Sequence, residues 1–257
     1  MNACAQENTL VSVVIPCYQQ MHWLGAAIRS VLASTWQQVE IWVIDDGSSE
    51  ALSEEVLAFL RKGKIHLLHQ RNQGVCKARN VAIGRTQGDF VLPLDADDMI
   101  APTYLEKAMT AFRWNRQLAV VSSGYCYLLG KEEGKCQCET FSPAMLLRHN
   151  QIVVTSLFRK SLWERVGGFA EILSRLSLED WDFWLSVYAL NPNFLILPEP
   201  LIYYRLHGPS RNACGQYIRR KSKLLILLRH WRLYVMHPID LFYTLCTRWL
   251  PKQRVEA

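Results

Sequence analysis

No stretch of the 257-residue chain approaches ~18 consecutive apolar residues, so no membrane-spanning helix is expected. The opening "MNACAQENTL" has no basic region followed by an apolar run, and no export signal is read there. No GxGxxG occurs, which removes the dinucleotide-binding fingerprint. "GYCYLLGKE" (124–132) misses a P-loop: one residue too many separates its glycines, and Glu132 stands where a Ser or Thr should hold magnesium. Cys136 and Cys138 form a lone CxC without a second Cys or His pair at zinc spacing, so no structural zinc is expected. The eight cysteines are scattered, and reduced thiols in the cytoplasm are the expectation. No Gly-, Pro- or Ser-rich linker, internal repeat or low-complexity segment divides the chain. One domain with a C-terminal appendage is the simplest organisation.

Half of the residues are hydrophobic and 20% are charged, the balance of a globular chain with enough apolar mass for a large core. The net charge of +6 is uneven. Residues 211–257 hold ten Lys/Arg against two acids, whereas residues 1–210 are close to neutral. A nucleic-acid partner is not expected, because the basic bias is confined to the tail and no binding motif accompanies it.

The first hundred residues alternate strand and helix patterns. "VSVVIP" (11–16) reads as a buried strand, and "VEIWVIDDGSS" (39–49), "KIHLLH" (64–69) and "DFVLPLD" (89–95) read as further strands. Helical spacing fills the gaps, with Leu24, Ile28, Val31 and Leu32 in the first helix and further helices over 51–61 and 75–86. This alternation predicts an α/β fold: a mostly parallel central sheet with helices on both faces. Such sheets bind ligands beyond the carboxyl ends of their strands.

Two strands end in carboxylates, Asp45-Asp46 after the second and Asp95, Asp97 and Asp98 after the fourth. In a parallel sheet both groups leave the same edge, which predicts one anionic crevice. Asp45-Asp46 before Gly-Ser also suits an ordinary turn. Three carboxylates exceed what a turn needs. Crowded oxygen ligands suit a hard divalent cation. An EF-hand is excluded, since Met99 and Ile100 occupy its fifth and sixth positions and a strand precedes it. An aspartate-based phosphohydrolase of the haloacid dehalogenase type is the runner-up, against which Met99 ends the DxDx(T/V) pattern. A nucleotide-sugar binder without catalysis is a third alternative.

Seven segments then follow a familiar order: "VSVVIPCYQQ" (11–20), "VIDDGSS" (43–49), "NQGVCKARNVAI" (72–83), "FVLPLDADDMIAP" (90–102), "VGGF" (166–169), "LEDWDFWLSV" (178–187) and "YRLHGPSRN" (204–212). Together they resemble the motif series of the family-2 glycosyltransferases over residues 11–212. The resemblance implies a Rossmann-like GT-A fold, a nucleotide-diphosphate sugar donor (commonly a UDP-sugar), bound Mn2+ or Mg2+, and inversion at the anomeric carbon. It implies that Pro16 and Tyr18 shape the nucleobase pocket and that Asp45 or Asp46 contacts the base. Lys77 and Arg79 match basic positions near the phosphates. Asp95 and Asp97 match the metal-binding DxD, with Asp98 and His207 as further ligands. Asp180 matches the general base, with Glu179 and Trp181 beside it and nearby tryptophans desolvating it or stacking on a sugar. Gln19 stands where the family commonly has asparagine.

The implied acceptor is a growing surface glycan or a lipid-linked saccharide, handled at the cytoplasmic face of the membrane. Residues 213–257 form a separate basic, amphipathic helical extension in this reading. Two segments divided at His237-Pro238 mix Arg/Lys with Leu, Trp, Tyr and Phe. Two roles fit 215–257: lying on an anionic membrane surface, or capping the core of the domain.

Overall fold

The computed structural model describes residues 9–130, 132–174, 176–207 and 216–246. Its elements run β1 (Val11–Cys17), α1 (Met21–Leu32), β2 (Val39–Asp45), α2 (Glu54–Arg61), β3 (His66–His69), α3 (Val75–Ile83), β4 (Phe90–Pro93) and β5 (Met99–Ile100). They continue with α4 (Tyr104–Trp114), β6 (Val120–Leu129), β7 (Glu132–Gln137), α5 (Pro143–Arg148), β8 (Leu157–Arg159), α6 (Lys160–Val166), α7 (Glu179–Leu190) and β9 (Phe194–Arg205). Three helices close the described chain: α8 (Gln216–Arg229), α9 (Trp231–Val235) and α10 (Pro238–Cys246).

One sheet of order β3-β2-β1-β4-β8-β6-β9-β5 spans the molecule, with β7 beside β6. It is parallel through β3, β2, β1 and β4, as the alternating pattern predicts, and parallel again between β6 and β9. The antiparallel β8 joins these two parts. Successive strand residues point to opposite faces. Val11, Val13 and Ile15 of β1 therefore enter one core with Leu24, Ile28 and Val31 of α1 and Leu105 of α4. Val14 enters the other core, with Ala78 and Ile83 of α3 and Phe183 and Trp184 of α7. Each such aliphatic side chain contributes about 1.5–3 kcal/mol when removed from water. This double burial explains the unbroken apolar run of β1.

One expectation about the cysteines needs correction. Cys126 is not a reduced thiol: it is disulfide-bonded to Cys136. The β6–β7 hairpin sets the two directly opposite each other, with 3.9 Å between their Cα atoms. Cys17, Cys76 and Cys138 carry no disulfide.

The tail breaks twice, at His230 as well as at His237. Its inner face packs on α5 and α7, with Ser222, Ile226 and Tyr234 buried. Arg229 Nε and His230 Nε2 reach Asp182 Oδ1 of α7 at 2.8 and 2.9 Å. The hydroxyls of Tyr234 and Thr244 donate to the Leu147 carbonyl at 2.7 and 3.1 Å. Among the described residues no helix is long and apolar enough to cross a membrane.

Candidate active site at the carboxyl edge of the sheet

The register of β1 brings the candidate residues together. Cys17 lies beside Asp45 of β2, and Val14 lies beside Pro93 of β4. The segments holding Tyr18, Asp46 and Asp95 thus leave the sheet on one edge. They are tied across: Asp46 N donates to the Cys17 carbonyl at 2.8 Å, Gln19 N to Ser48 Oγ at 3.0 Å, and Gln20 Nε2 to Asp97 Oδ2 at 2.9 Å. Gln19 holds a left-handed backbone, φ 55°. Asparagine, which the resemblance leads one to expect at this position, tolerates that region better than most residues. Pro16 is buried within β1, and Tyr18 is 48% exposed at the rim.

The Asp45-Asp46 pair divides its work. Asp46 Oδ1 accepts from Gln70 Nε2 (2.6 Å) and Gln73 N (2.8 Å), and Oδ2 accepts from Gly74 N (2.8 Å). Asp46 therefore clamps the loop that starts α3. Gly74 caps that helix at φ 90°, where an added Cβ would lie 2.8 Å from Ser174 Cβ, so only glycine fits. Asp45 accepts from Ser48 N at 2.8 Å and faces His69 Nδ1 at 3.1 Å.

Asp95, Asp97 and Asp98 form the acidic trio, with ligand oxygens within 4.8 Å of one another. A tight turn closes it, Asp98 N donating to the Asp95 carbonyl at 3.0 Å. Burial, then the charges of Asp97 and Asp95, push the Asp98 carboxyl well above the usual carboxylate range. The short β5 pairs with β9, setting Met99 beside Tyr203. That ladder delivers the end of β9 to the trio: Arg205 N donates to Asp98 Oδ1 at 3.0 Å, and His207 Nε2 lies 2.7 Å from Asp97 Oδ2. Trp23 backs this corner, with its ring 5.6 Å from that of His207 and 4.2 Å from the Arg205 guanidinium. The three carboxylates are oxygen donors of the kind that suit Mg2+ or Mn2+.

Arg79 links this trio to α7. It is 1% exposed, with Nη2 2.7 Å from Asp95 Oδ1 and Nη1 3.2 Å from Glu179 Oε1. Burial pulls its pKa down, but the charges of Asp95 and Glu179 more than offset this and leave it raised. Its Nε is buried without a hydrogen-bond partner. Lys77 meets Glu171 at 3.0 Å. Both cations expected near phosphate are thus engaged by carboxylates, and Arg79 acts as a strut.

Asp180 stands in the first turn of α7, after Leu178 at φ 66°. Asn150 Nδ2 donates to its Oδ2 at 2.6 Å, and Trp181 N donates to its Oδ1 at 2.8 Å. Burial first, then the Glu179 charge, push its carboxyl up to about 7. The adjacent tryptophans offer no sugar platform. Trp181 and Trp184 are buried in the core, and the Trp181 indole donates to the Leu146 carbonyl at 2.7 Å. Sequence reasoning missed Asn150, Gln20 and Trp23, which lie outside the matching residues or had no motif role.

Residues 12–165 match the family model described as "Glycosyl transferase family 2". The chain belongs to that family. An uncharacterised glycosyltransferase of Rickettsia felis is 34% identical over 128 residues, which is 50% of this chain and 21% of that protein. The chain thus spans about a fifth of that relative's length. S. aureus TarS 1–349 in complex with UDP-GlcNAc superposes with TM-score 0.67 at 22% identity, covering 85% of this chain and 66% of that one. The mannosyltransferase PcManGT of Pyrobaculum calidifontis, in complex with GDP-Man and Mn2+, gives TM-score 0.65 at 15% identity, covering 88% and 65%. These likenesses show the GT-A fold for this family-2 glycosyltransferase.

Proposed function

We propose that this glycosyltransferase moves a hexosyl group from a nucleotide-diphosphate donor, a UDP-sugar in the first instance, to a hydroxyl of a glycan or lipid-linked saccharide, with inversion. The Arg79 fork carries the reading. One buried guanidinium holds both the leading carboxylate of a cation-type trio and the neighbour of a carboxyl near pKa 7. The complexes of TarS with UDP-GlcNAc and of PcManGT with GDP-Man and Mn2+ support the donor class by analogy.

In this reading Tyr18 stacks on the nucleobase and Pro16 shapes the pocket beneath it. Asp45 accepts a base N–H, because Asp46 is committed to the loop. Asp95, Asp97 and Asp98 would hold Mg2+ or Mn2+, with His207 as a further ligand. When bound, the cation supplies the positive charge that a departing diphosphate needs. Arg79 fixes the Asp95 carboxylate against its neighbours' repulsion. Asp180 takes the acceptor proton on lone pairs left over by Asn150 and the Trp181 N–H. A pKa near the working pH suits that transfer. One base opposite the leaving group is what inversion requires.

The test is a screen of nucleotide sugars for metal-dependent donor hydrolysis, followed by transfer by Asp180→Asn. Unchanged transfer by that variant removes Asp180 as the base. Release of inorganic phosphate from sugar phosphates, with a trapped phospho-Asp95, would favour a phosphohydrolase instead. Donor binding without hydrolysis or transfer would leave a binding protein.

A further inference from the structure

The tail has a second apolar face that the described residues leave exposed. In α8 the inward side chains Ser222 and Ile226 sit opposite a stripe of Tyr217, Lys221, Leu224 and Leu228 at three- and four-residue spacing. The stripe is exposed, Leu228 to 63%. The next two helices repeat the pattern, with Trp231, Val235 and Met236 exposed around α9 and Ile239, Phe242 and Tyr243 exposed on α10. A helix that is apolar on both sides meets two apolar environments. The first is the core above α5 and α7. We infer that the second is an anionic lipid surface, on which α8–α10 lie flat.

Charge chooses this occupant over a second copy of the chain. Residues 216–246 carry six Lys/Arg and one acid, so two copies of this face repel each other. Arg220 and Lys221 are exposed along the apolar stripe, and Arg232 beside Trp231. Basic residues interleaved with Leu, Phe and Trp are the composition of interfacial helices, and Trp and Tyr favour the headgroup level.

The seat of the tail gives the contact a use. Ser177 Oγ meets Ser222 Oγ at 3.3 Å, and Asp182 holds Arg229 and His230. These anchors flank Glu179-Asp180 on both sides in the chain. A tail lying on lipid therefore holds the start of α7 close to the bilayer, where a lipid-linked acceptor would present its sugar. This last step rests on the proposed function; the lipid contact does not.

The experiment is co-sedimentation of the full chain with phosphatidylcholine vesicles, with and without phosphatidylglycerol, at low and high salt. Binding is expected only to the anionic vesicles and is expected to weaken with salt. Arg220→Glu with Lys221→Glu, both on exposed side chains, is expected to lower partitioning by about 25-fold, at about fivefold per basic residue. Leu224→Ser with Leu228→Ser is expected to lower it by about tenfold or more, with an unchanged circular dichroism melt. Donor hydrolysis in solution stays at the parent level in all of these variants, which separates failure of the lipid contact from failure of the glycosyltransferase reading. A chain that stays in the supernatant with anionic vesicles overturns the inference. So does charge reversal without effect, or a dimer in light scattering that the leucine substitutions dissolve.

Discussion

Asn150→Leu isolates the environment of the proposed base. Asn150 Nδ2 donates to Asp180 Oδ2 at 2.6 Å, and that bond lowers the pKa of a carboxyl which burial and Glu179 raise to about 7. A hydrogen bond to a charged group contributes about 1.5–3 kcal/mol. At 1.36 kcal/mol per pH unit, its loss lifts the carboxyl by about 1–2 units. Leucine keeps the volume and offers no donor. The acid limb of the kcat/KM profile should therefore move from about pH 7 to roughly pH 8–9. At neutral pH the variant should lose about 5- to 50-fold and recover most of that at pH 9. The assay is transfer at saturating metal across this range. A uniform loss at every pH, with the limb unmoved, would show that Asn150 does not tune Asp180, and a flat parent profile would remove Asp180 as the titrating base.

The same carboxyl makes stability fall as pH rises. Its native pKa is raised, so between the unfolded value near 4 and the native value near 7 the folded chain binds the extra proton. Asp180→Asn should then melt higher than the parent at pH 8 and equally at pH 4, while losing transfer; equal melts at both values would contradict the shift. Asp46→Ala should cost about 2–4 kcal/mol in urea unfolding, because three donors lose their acceptor, whereas Asp45→Ala should mainly raise the donor KM. The opposite pattern would reverse their roles. Arg79→Met leaves Glu179 and Asp95 without their shared cation and should cost about 3–5 kcal/mol; a loss under about 1 kcal/mol in the same assay would mean that Arg79 is no strut.

The sheet was readable because β1, β2 and β4 bury both faces and so appear as continuous apolar runs ending at turn residues. Their parallel order carried the acidic ends to one edge. What the sequence hid depends on long-range pairing. His207 was named through the motif series, but the route that brings it to Asp97, the two-residue β5 ladder on β9, was not readable. The disulfide follows from hairpin register, which scattered cysteines do not announce. Arg79 matched a phosphate-side position, but a buried cation is claimed by whichever carboxylates are closest, and here those lie on two sequence-distant segments. Asn150 lies in a loop thirty residues before its partner, with no periodicity to mark it. The tail was readable in composition and ambiguous in role, because both of its faces are apolar.

Everything proposed at the site turns on a cation held by Asp95, Asp97 and Asp98 and shared with a nucleoside diphosphate. Calorimetric titration of UDP and GDP into the chain, with Mn2+ and with chelator, measures that coupling. At least one diphosphate should bind about 100-fold tighter with Mn2+, a gain of about 2.7 kcal/mol, and Asp97→Ala should erase the gain. Equal affinity with and without the metal, or a gain that survives Asp97→Ala, would contradict it.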